Sequence, residues 1–328
     1  MTVADAFVHP AVLYRGEREY VTALIPFIRA GLEAGDPVAV AVPGQRLRLL
    51  RDAIRESGPA PADQVEWIDM TVAGRNPGRI IPGILRAFAD RHPDARRIRI
   101  IGEPIWPGRS RAEYPACVHH EALINLAFTG RSVTILCPYD AAGLDPGTLA
   151  DAAATHPVVI EHGEERASSA YAPKKVIDEC NLPLGHLEAD DAAVLHFDAG
   201  DLVHVRGFAA EHAARLGLPA ERVLDLEVAV NELAANSVLH GGGRGTLRVW
   251  AEDAHLLCQV DDAGHLGDPL AGRLPVGLGC DGGRGLLLVH HIADLVRVHT
   301  SPGSVTFRLY FALGPASPAE RLALSDHR

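Results

Sequence analysis

Glu232 and Asn236 stand four residues apart in the run Glu232-Leu233-Ala234-Ala235-Asn236, a spacing that puts both side chains on one face of a helix. An asparagine offers a neutral oxygen to Mg²⁺, and phosphate oxygens and water can fill the remaining positions. A glutamate beside it can take the proton of a hydroxyl or a water. Val223, Leu226, Val230 and Leu233 form a separate apolar stripe, so the polar pair sits at the margin of a core-facing helix. Alone, the pair is better read as an ordinary exposed helix face. A second segment, Asp261-Asp262-Ala263-Gly264, ends a strand-like pattern. Asp262 can accept a hydrogen bond from an adenine amino group, and Gly264 lets a base approach the backbone. A third, Gly282-Gly283-Arg284-Gly285-Leu286, opens a helical pattern, and free N–H groups at a helix start suit phosphates. No Gly-Lys-Ser/Thr follows, so this is not a Walker loop. It does not follow a strand inside a βαβ unit, so it is not a dinucleotide fingerprint either.

The elements that must hold these segments read as an α+β arrangement. Strand-like residues 192–197 precede helical patterns over 200–216 and 220–240. Residues 245–251 and 255–261 alternate about Glu252-Asp253-Ala254 as a hairpin. A Gly-rich stretch, 264–285, leads to a helix over 286–294. Strands over 295–299 and 304–312 flank Ser301-Pro302-Gly303 as a second hairpin. Helices on one face of an antiparallel sheet give a two-layer sandwich.

The first half alternates differently. Helical spacing covers 17–34, 45–57, 77–91 and 111–129, and strand patterns cover 37–42, 64–68, 97–101 and 132–137. That order predicts right-handed crossovers and a mostly parallel sheet. Residues 160–185 lose periodicity. The expected boundaries are therefore 5–172 for the first domain, 173–189 for a linker, 190–313 for the second domain and 314–328 for a flexible tail.

Composition narrows the classes. The chain has 328 residues and a net charge of −11, which argues against direct nucleic-acid binding as the default. No apolar run is long enough for a membrane span, and the first residues do not read as a signal peptide, so a cytoplasmic protein is expected. Cys117, Cys137, Cys180, Cys258 and Cys280 are scattered and odd in number, which favours reduced thiols. The Ala-, Arg-, Gly- and Pro-rich composition suggests a bacterial genome of high GC content.

Taken together, E-x-x-x-N, D-x-G and G-x-G-L in this order resemble the N, G1 and G2 boxes of the GHKL (Bergerat-fold) ATPases. Gly283-Arg284-Gly285-Leu286-Leu287-Leu288-Val289 and the closing His240-Gly241 look most like the anti-sigma-factor serine kinase branch. The resemblance covers about 125 residues and implies ATP and Mg²⁺ as cofactors. It implies Glu232 as general base, Asn236 as Mg²⁺ ligand, Asp262 as adenine acceptor with Gly264 beside it, and Gly283, Arg284, Gly285 and Leu286 at the phosphates. Residues 266–282, with Gly267, Gly272, Gly277, Gly279 and Gly282, would form a mobile ATP lid. In that branch the phosphate goes to a Ser or Thr of an anti-anti-sigma partner with a STAS domain, or the domain sequesters a sigma factor. Two alternatives stay open. One is a non-catalytic switch whose partner affinity follows ATP or ADP. The other is an atypical sensor histidine kinase, which the short stretch 160–190, with only His162 and His186, disfavours. A homodimer is compatible with all three.

The first half carries a second resemblance, over residues 5–172. His9-Pro10, Tyr14, the Gly31…Gly35 helix end, Gly102-Glu103-Pro104-Ile105-Trp106, His120-Glu121-Ala122-Leu123-Ile124-Asn125 and Leu136-Cys137-Pro138-Tyr139-Asp140 are similar to a MEDS sensory domain. The resemblance implies a RecA-like core that senses a small molecule or another signal. Pro43-Gly44-Gln45-Arg46 stands where a phosphate loop with lysine would sit, so ordinary ATP binding is not expected there. Cys117, His120 and Glu121 share a helix face, with Glu103 and Trp106 ending a neighbouring strand, and these five form a candidate sensory pocket. A metal held by Cys117, His120 and Glu121 is a further reading, although the spacing lacks a strong metal signature. A Cys117–Cys137 redox pair is another, and a buried histidine with a packed cysteine is the plain one.

Overall fold

The computed structural model describes residues 7–56, 62–185, 192–275 and 283–314. The chain divides into two compact units, Met1–Cys180 and Asn181–Arg328.

The first unit is a seven-stranded sheet with helices. Its strands are β1 (Pro10–Tyr14), β2 (Val38–Val42), β3 (Val65–Asp69), β4 (Ile98–Gly102), β5 (Val133–Asp140), β6 (Val158–Glu161) and β7 (Glu164–Ala167), in the order β3-β2-β4-β5-β1-β6-β7. The pairings from β3 through β6 are parallel, and only β7 runs antiparallel. All five residues of β2, Val-Ala-Val-Ala-Val, are buried, as expected of a parallel strand covered on both faces. The helices are α1 (Gly16–Ala34), α2 (Gly44–Glu56), α3 (Ala87–Asp90), α4 (Tyr114–Ala127), α5 (Pro146–Thr155) and α6 (Pro173–Cys180). Tyr14 pairs with Asp140, and Ala41 with Gly102, so the carboxyl ends of β1, β2, β4 and β5 meet at one edge of the sheet. In open α/β sheets that edge is where ligands bind.

Three local outcomes differ from the sequence expectations. The single helix expected over 77–91 is broken into a 3-10 turn (Pro77–Arg79), a π turn (Ile81–Arg86) and α3. Pro82 has no N–H to donate and its ring crowds the preceding turn, and a widened turn absorbs both faults. The strand β1 was not expected, because five residues led by a proline give little periodicity. Proline is tolerated at the first position of a strand. Lastly, the aperiodic stretch 160–185 is partly structured: β6 and β7 form a hairpin at the end of the expected first domain, and α6, in the expected linker, packs on α4 and α5 with Val176 buried.

The second unit is the two-layer α+β sandwich. Strands β8 (Ala193–Asp198), β9 (Arg244–Glu252), β10 (His255–Asp262), β11 (Leu295–Ser301) and β12 (Ser304–Ala312) form one antiparallel sheet, ordered β11-β12-β10-β9-β8. Helices α7 (Leu202–Arg215), α8 (Ala220–His240) and α9 (Arg284–Ile292) supply the other layer. The stripe Leu226, Val230 and Leu233 lies at 1% exposure or less, in a core shared with Leu247, Cys258, Leu309 and Phe311. Each such side chain contributes about 1.5–3 kcal/mol of burial. Packing of this stripe fixes the rotation of α8, and thereby where its polar margin points.

Candidate functional site

The margin of α8 faces the ends of β10 and β12. Asn236 lines a cavity of about 330 Å³, within the range of small-ligand pockets. Asp262, Gly264, Gly283, Gly285 and Leu286 line the same cavity, and Leu266, Val305 and Phe307 give it apolar walls. Val305 enters because it pairs with Asp262 across the β10–β12 ladder.

Asp262 is held in place on both oxygens. The Ser237 hydroxyl donates to Oδ2 at 2.7 Å and the Gly264 N–H to Oδ1 at 2.8 Å. The loop after α8 is tied to the same strand end, since the Ala263 N–H donates to the Gly241 carbonyl at 3.1 Å. The carboxylate is thus fixed before any ligand arrives, which lowers the ordering cost of binding.

Glycine makes these approaches feasible. A Cβ on Gly241 would strike the Asp262 carboxylate, and one on Gly264 would lie 3.0 Å from the His240 carbonyl oxygen. Gly241→Ala is therefore expected to push Asp262 off Ser237 and weaken nucleotide binding about tenfold, corresponding to about 1.4 kcal/mol, as measured by calorimetric titration with ATP. Gly283 caps α9 with a φ of 79°, a left-handed conformation that side chains resist. Gly285 lies against Glu232, whose carboxylate occupies the space a Cβ would need.

The residues fit an adenine nucleotide. A fixed carboxylate beside apolar walls suits a planar ring carrying an exocyclic amine. The start of α9, thinned by Gly283 and Gly285, suits phosphates, and the Asn236 amide oxygen suits Mg²⁺ beside them. Glu232 is half-buried on α8 behind Gly285, outside the cavity lining, and Arg284 is also outside it. Of the expected lid, Leu266 reaches the cavity, Gly272 packs against Leu286, and Arg273 is buried, its guanidinium pulled down to about 10 by desolvation. Gly277, Gly279 and Gly282 lie outside the described residues. Ser237, His265, Val305 and Phe307 were not expected from the sequence. Strand pairing alone could have nominated the last two, once β10 and β12 were matched.

The five residues of the candidate sensory pocket separate into different surroundings. Glu103, at the carboxyl end of β4, is fully buried. It accepts from the Tyr14 hydroxyl at 3.2 Å, the Tyr20 hydroxyl at 3.0 Å, and Arg46. Arg46 also donates to Asp140 at 3.0 Å. Tyr14, Tyr20, Arg46 and Asp140 border a cavity of about 180 Å³, which Glu103 supports from behind. Trp106 instead stacks under Arg109, whose guanidinium carbon lies 3.9 Å from the ring centre. Cys117 is buried and its thiol is pushed up to about 12 by desolvation. His120 is buried on α4. Glu121 faces His9, Cys137 and His156 rather than Cys117 and His120. The alternative reading of a metal held by Cys117, His120 and Glu121 is therefore not supported: helical spacing placed those residues on one side, but among the described residues the cluster of ligand-type atoms takes in Glu121 and neither of the other two. Cys117 and Cys137 are free thiols.

Desolvation raises the Glu103 carboxyl from 4.5 to about 8, against the pull of Arg46 and the Tyr20 hydroxyl and with a further rise from Asp140. A carboxyl raised in the folded state is most favourable to folding while protonated. Its contribution is full below its unfolded pKa and is lost as pH rises through about 8. Between about pH 6 and pH 9 the melting temperature of the wild type is expected to fall further than that of Glu103→Gln.

A family model for MEDS, described as the methanogen/methylotroph DcmR sensory domain, matches residues 8–157. A histidine kinase-like ATPase domain matches residues 195–311. Among solved structures, the chain is similar to the RsbU and RsbW domains of Rv1364c from Mycobacterium tuberculosis, with 21% identity, 38% of this chain and 34% of that chain covered, and a TM-score of 0.29. It is also similar to the histidine kinase AdeS of Acinetobacter baumannii, with 14% identity, 38% and 68% coverage, and a TM-score of 0.23. It thus spans about a third of the first of these two. No curated protein matches the chain. Among the described residues, no helix is long and apolar enough to cross a membrane.

Proposed function

From a chain that joins a MEDS domain to a histidine kinase-like ATPase domain, we propose a signal-responsive regulator that binds Mg-ATP and acts on a protein partner. The partner class is a STAS-type anti-anti-sigma protein, phosphorylated on Ser or Thr, or a sigma factor held away from polymerase. The observation that carries this reading is the meeting of Asn236, Asp262 and Gly285 around one cavity, with Glu232 against Gly285. In this reading Asp262 orients the adenine, and the α9 start and Asn236 hold the phosphates with their Mg²⁺. Glu232 takes the proton of the partner's hydroxyl as the phosphoryl group is transferred.

A second reading is favoured by one specific feature. Glu232 stands behind Gly285 and does not line the cavity, which suits a switch that binds nucleotide without transfer. Self-phosphorylation has less support. His162 occupies the turn of the β6–β7 hairpin at a φ of 53°, not a long dimerising helix, and His186 lies outside the described residues. Labelled ATP separates the three: label on a STAS partner supports the kinase, label on the chain itself the histidine kinase, and nucleotide-dependent binding without label the switch.

A further inference from the structure

We propose that His9, Glu121, Cys137 and His156 form a buried tetrahedral site for a divalent transition metal, with Zn²⁺ the first candidate. The four come from four places: just before β1, the middle of α4, β5, and the residue after α5. All are at 1% exposure or less, and one ligand-type atom from each lies within 4.8 Å of all the others. His9 Nε2 and His156 Nε2 stand 3.2 Å and 3.3 Å from the same Glu121 oxygen, and Cys137 Sγ stands 3.4 Å from His9 Nε2. Ligands at normal zinc bond lengths in a tetrahedron are separated by about 3.3–3.5 Å; these three contacts already stand near that separation, and the remaining pairs lie within 4.8 Å.

The hydrogen bonds around the cluster explain why an ion is called for. His156 Nδ1 lies 2.8 Å from the Ala152 carbonyl, which can only accept, so Nδ1 carries the proton. The Asn125 amide nitrogen is spent on backbone carbonyls, including Thr155 at 2.9 Å. Its oxygen therefore accepts, and His9 Nδ1, at 3.3 Å, donates to it. Both rings are thus fixed with Nε2 lone pairs aimed inward, the arrangement that second-shell partners impose on metal-binding histidines. The two Nε2–Glu121 contacts become ion pairs only if a ring takes a second proton; without one, neither Glu121 oxygen nor His156 Nε2 has a hydrogen-bond partner among the described residues. Two imidazole lone pairs and a carboxylate oxygen converge, and the Cys137 thiol can bring one proton. One proton relieves one contact, while a divalent cation relieves them all. With the cysteine as thiolate and the glutamate ionised, the ion's two charges are balanced, which suits full burial. Nitrogen, oxygen and sulfur donors in a tetrahedron favour Zn²⁺ over Mg²⁺ or Ca²⁺, which take oxygen ligands.

The test uses the full chain. Elemental analysis after purification and Zn²⁺ loading is expected to find about one equivalent per chain. Loading with Co²⁺ is expected to give intense visible d–d bands of a tetrahedral ion and a near-ultraviolet thiolate-to-cobalt band. Cys137→Ser should abolish the thiolate band, whereas Cys117→Ser should keep it. Wild-type protein that melts cooperatively yet takes up neither ion stoichiometrically would overturn the site. So would a Co²⁺ spectrum that survives Cys137→Ser unchanged. Because the wild-type spectrum carries the result, a variant that fails to fold does not decide the outcome.

Discussion

Asp262→Ala is expected to lower ATP affinity by about 100-fold or more, while the second unit stays folded. The size follows from three losses. A hydrogen bond from the adenine amine to a charged acceptor is worth about 1.5–3 kcal/mol. The Ser237 hydroxyl and the Gly264 N–H lose the acceptor they now share, and each then competes with the ligand for order. About 3 kcal/mol in total corresponds to a little over 100-fold. Asp262→Asn keeps one acceptor oxygen and should fall between wild type and alanine. Calorimetric titration with ATP, together with thermal melting of each variant, measures both quantities. Alanine that binds ATP like wild type would remove adenine from the cavity and leave the nucleotide reading without its specificity element.

Glu232→Gln is expected to separate binding from transfer. Loss of a general base costs about 10²–10⁴-fold in rate. ATP affinity should change by less than about threefold, since the side chain lies behind Gly285 and outside the cavity lining. Glutamine keeps the volume beside Gly285, so packing is not the variable. Phosphate transfer to the partner's hydroxyl, measured under single-turnover conditions, checks the rate. If transfer is undiminished, Glu232 is not the base. If wild type and variant bind partner alike and neither transfers phosphate, the switch reading takes over. The metal site in the first unit is independent of either result.

The sequence alone was enough for most of the second unit. Its strands are seven to nine residues long in β9, β11 and β12, and α8 runs for 21 residues, so the apolar period repeats often enough to be read. The stripe Leu226, Val230 and Leu233 set the rotation of α8, and with it the side on which Glu232 and Asn236 emerge. Short elements escaped for the opposite reason: β6 and β7 have four residues each, too few for a period. Tertiary structure alone decided which distant residues meet. Ser237 bonds Asp262 across 25 positions, and His9 reaches Cys137 across 128. Helical spacing puts Cys117 and His120 on one side of α4 with Glu121, but a parallel sheet sets strands beside each other that are far apart in sequence. Only that pairing of β1 with β5 and β6 brings His9, Cys137 and His156 to one carboxylate, because side-chain chemistry at a site depends on distance in space and the chain order does not encode it.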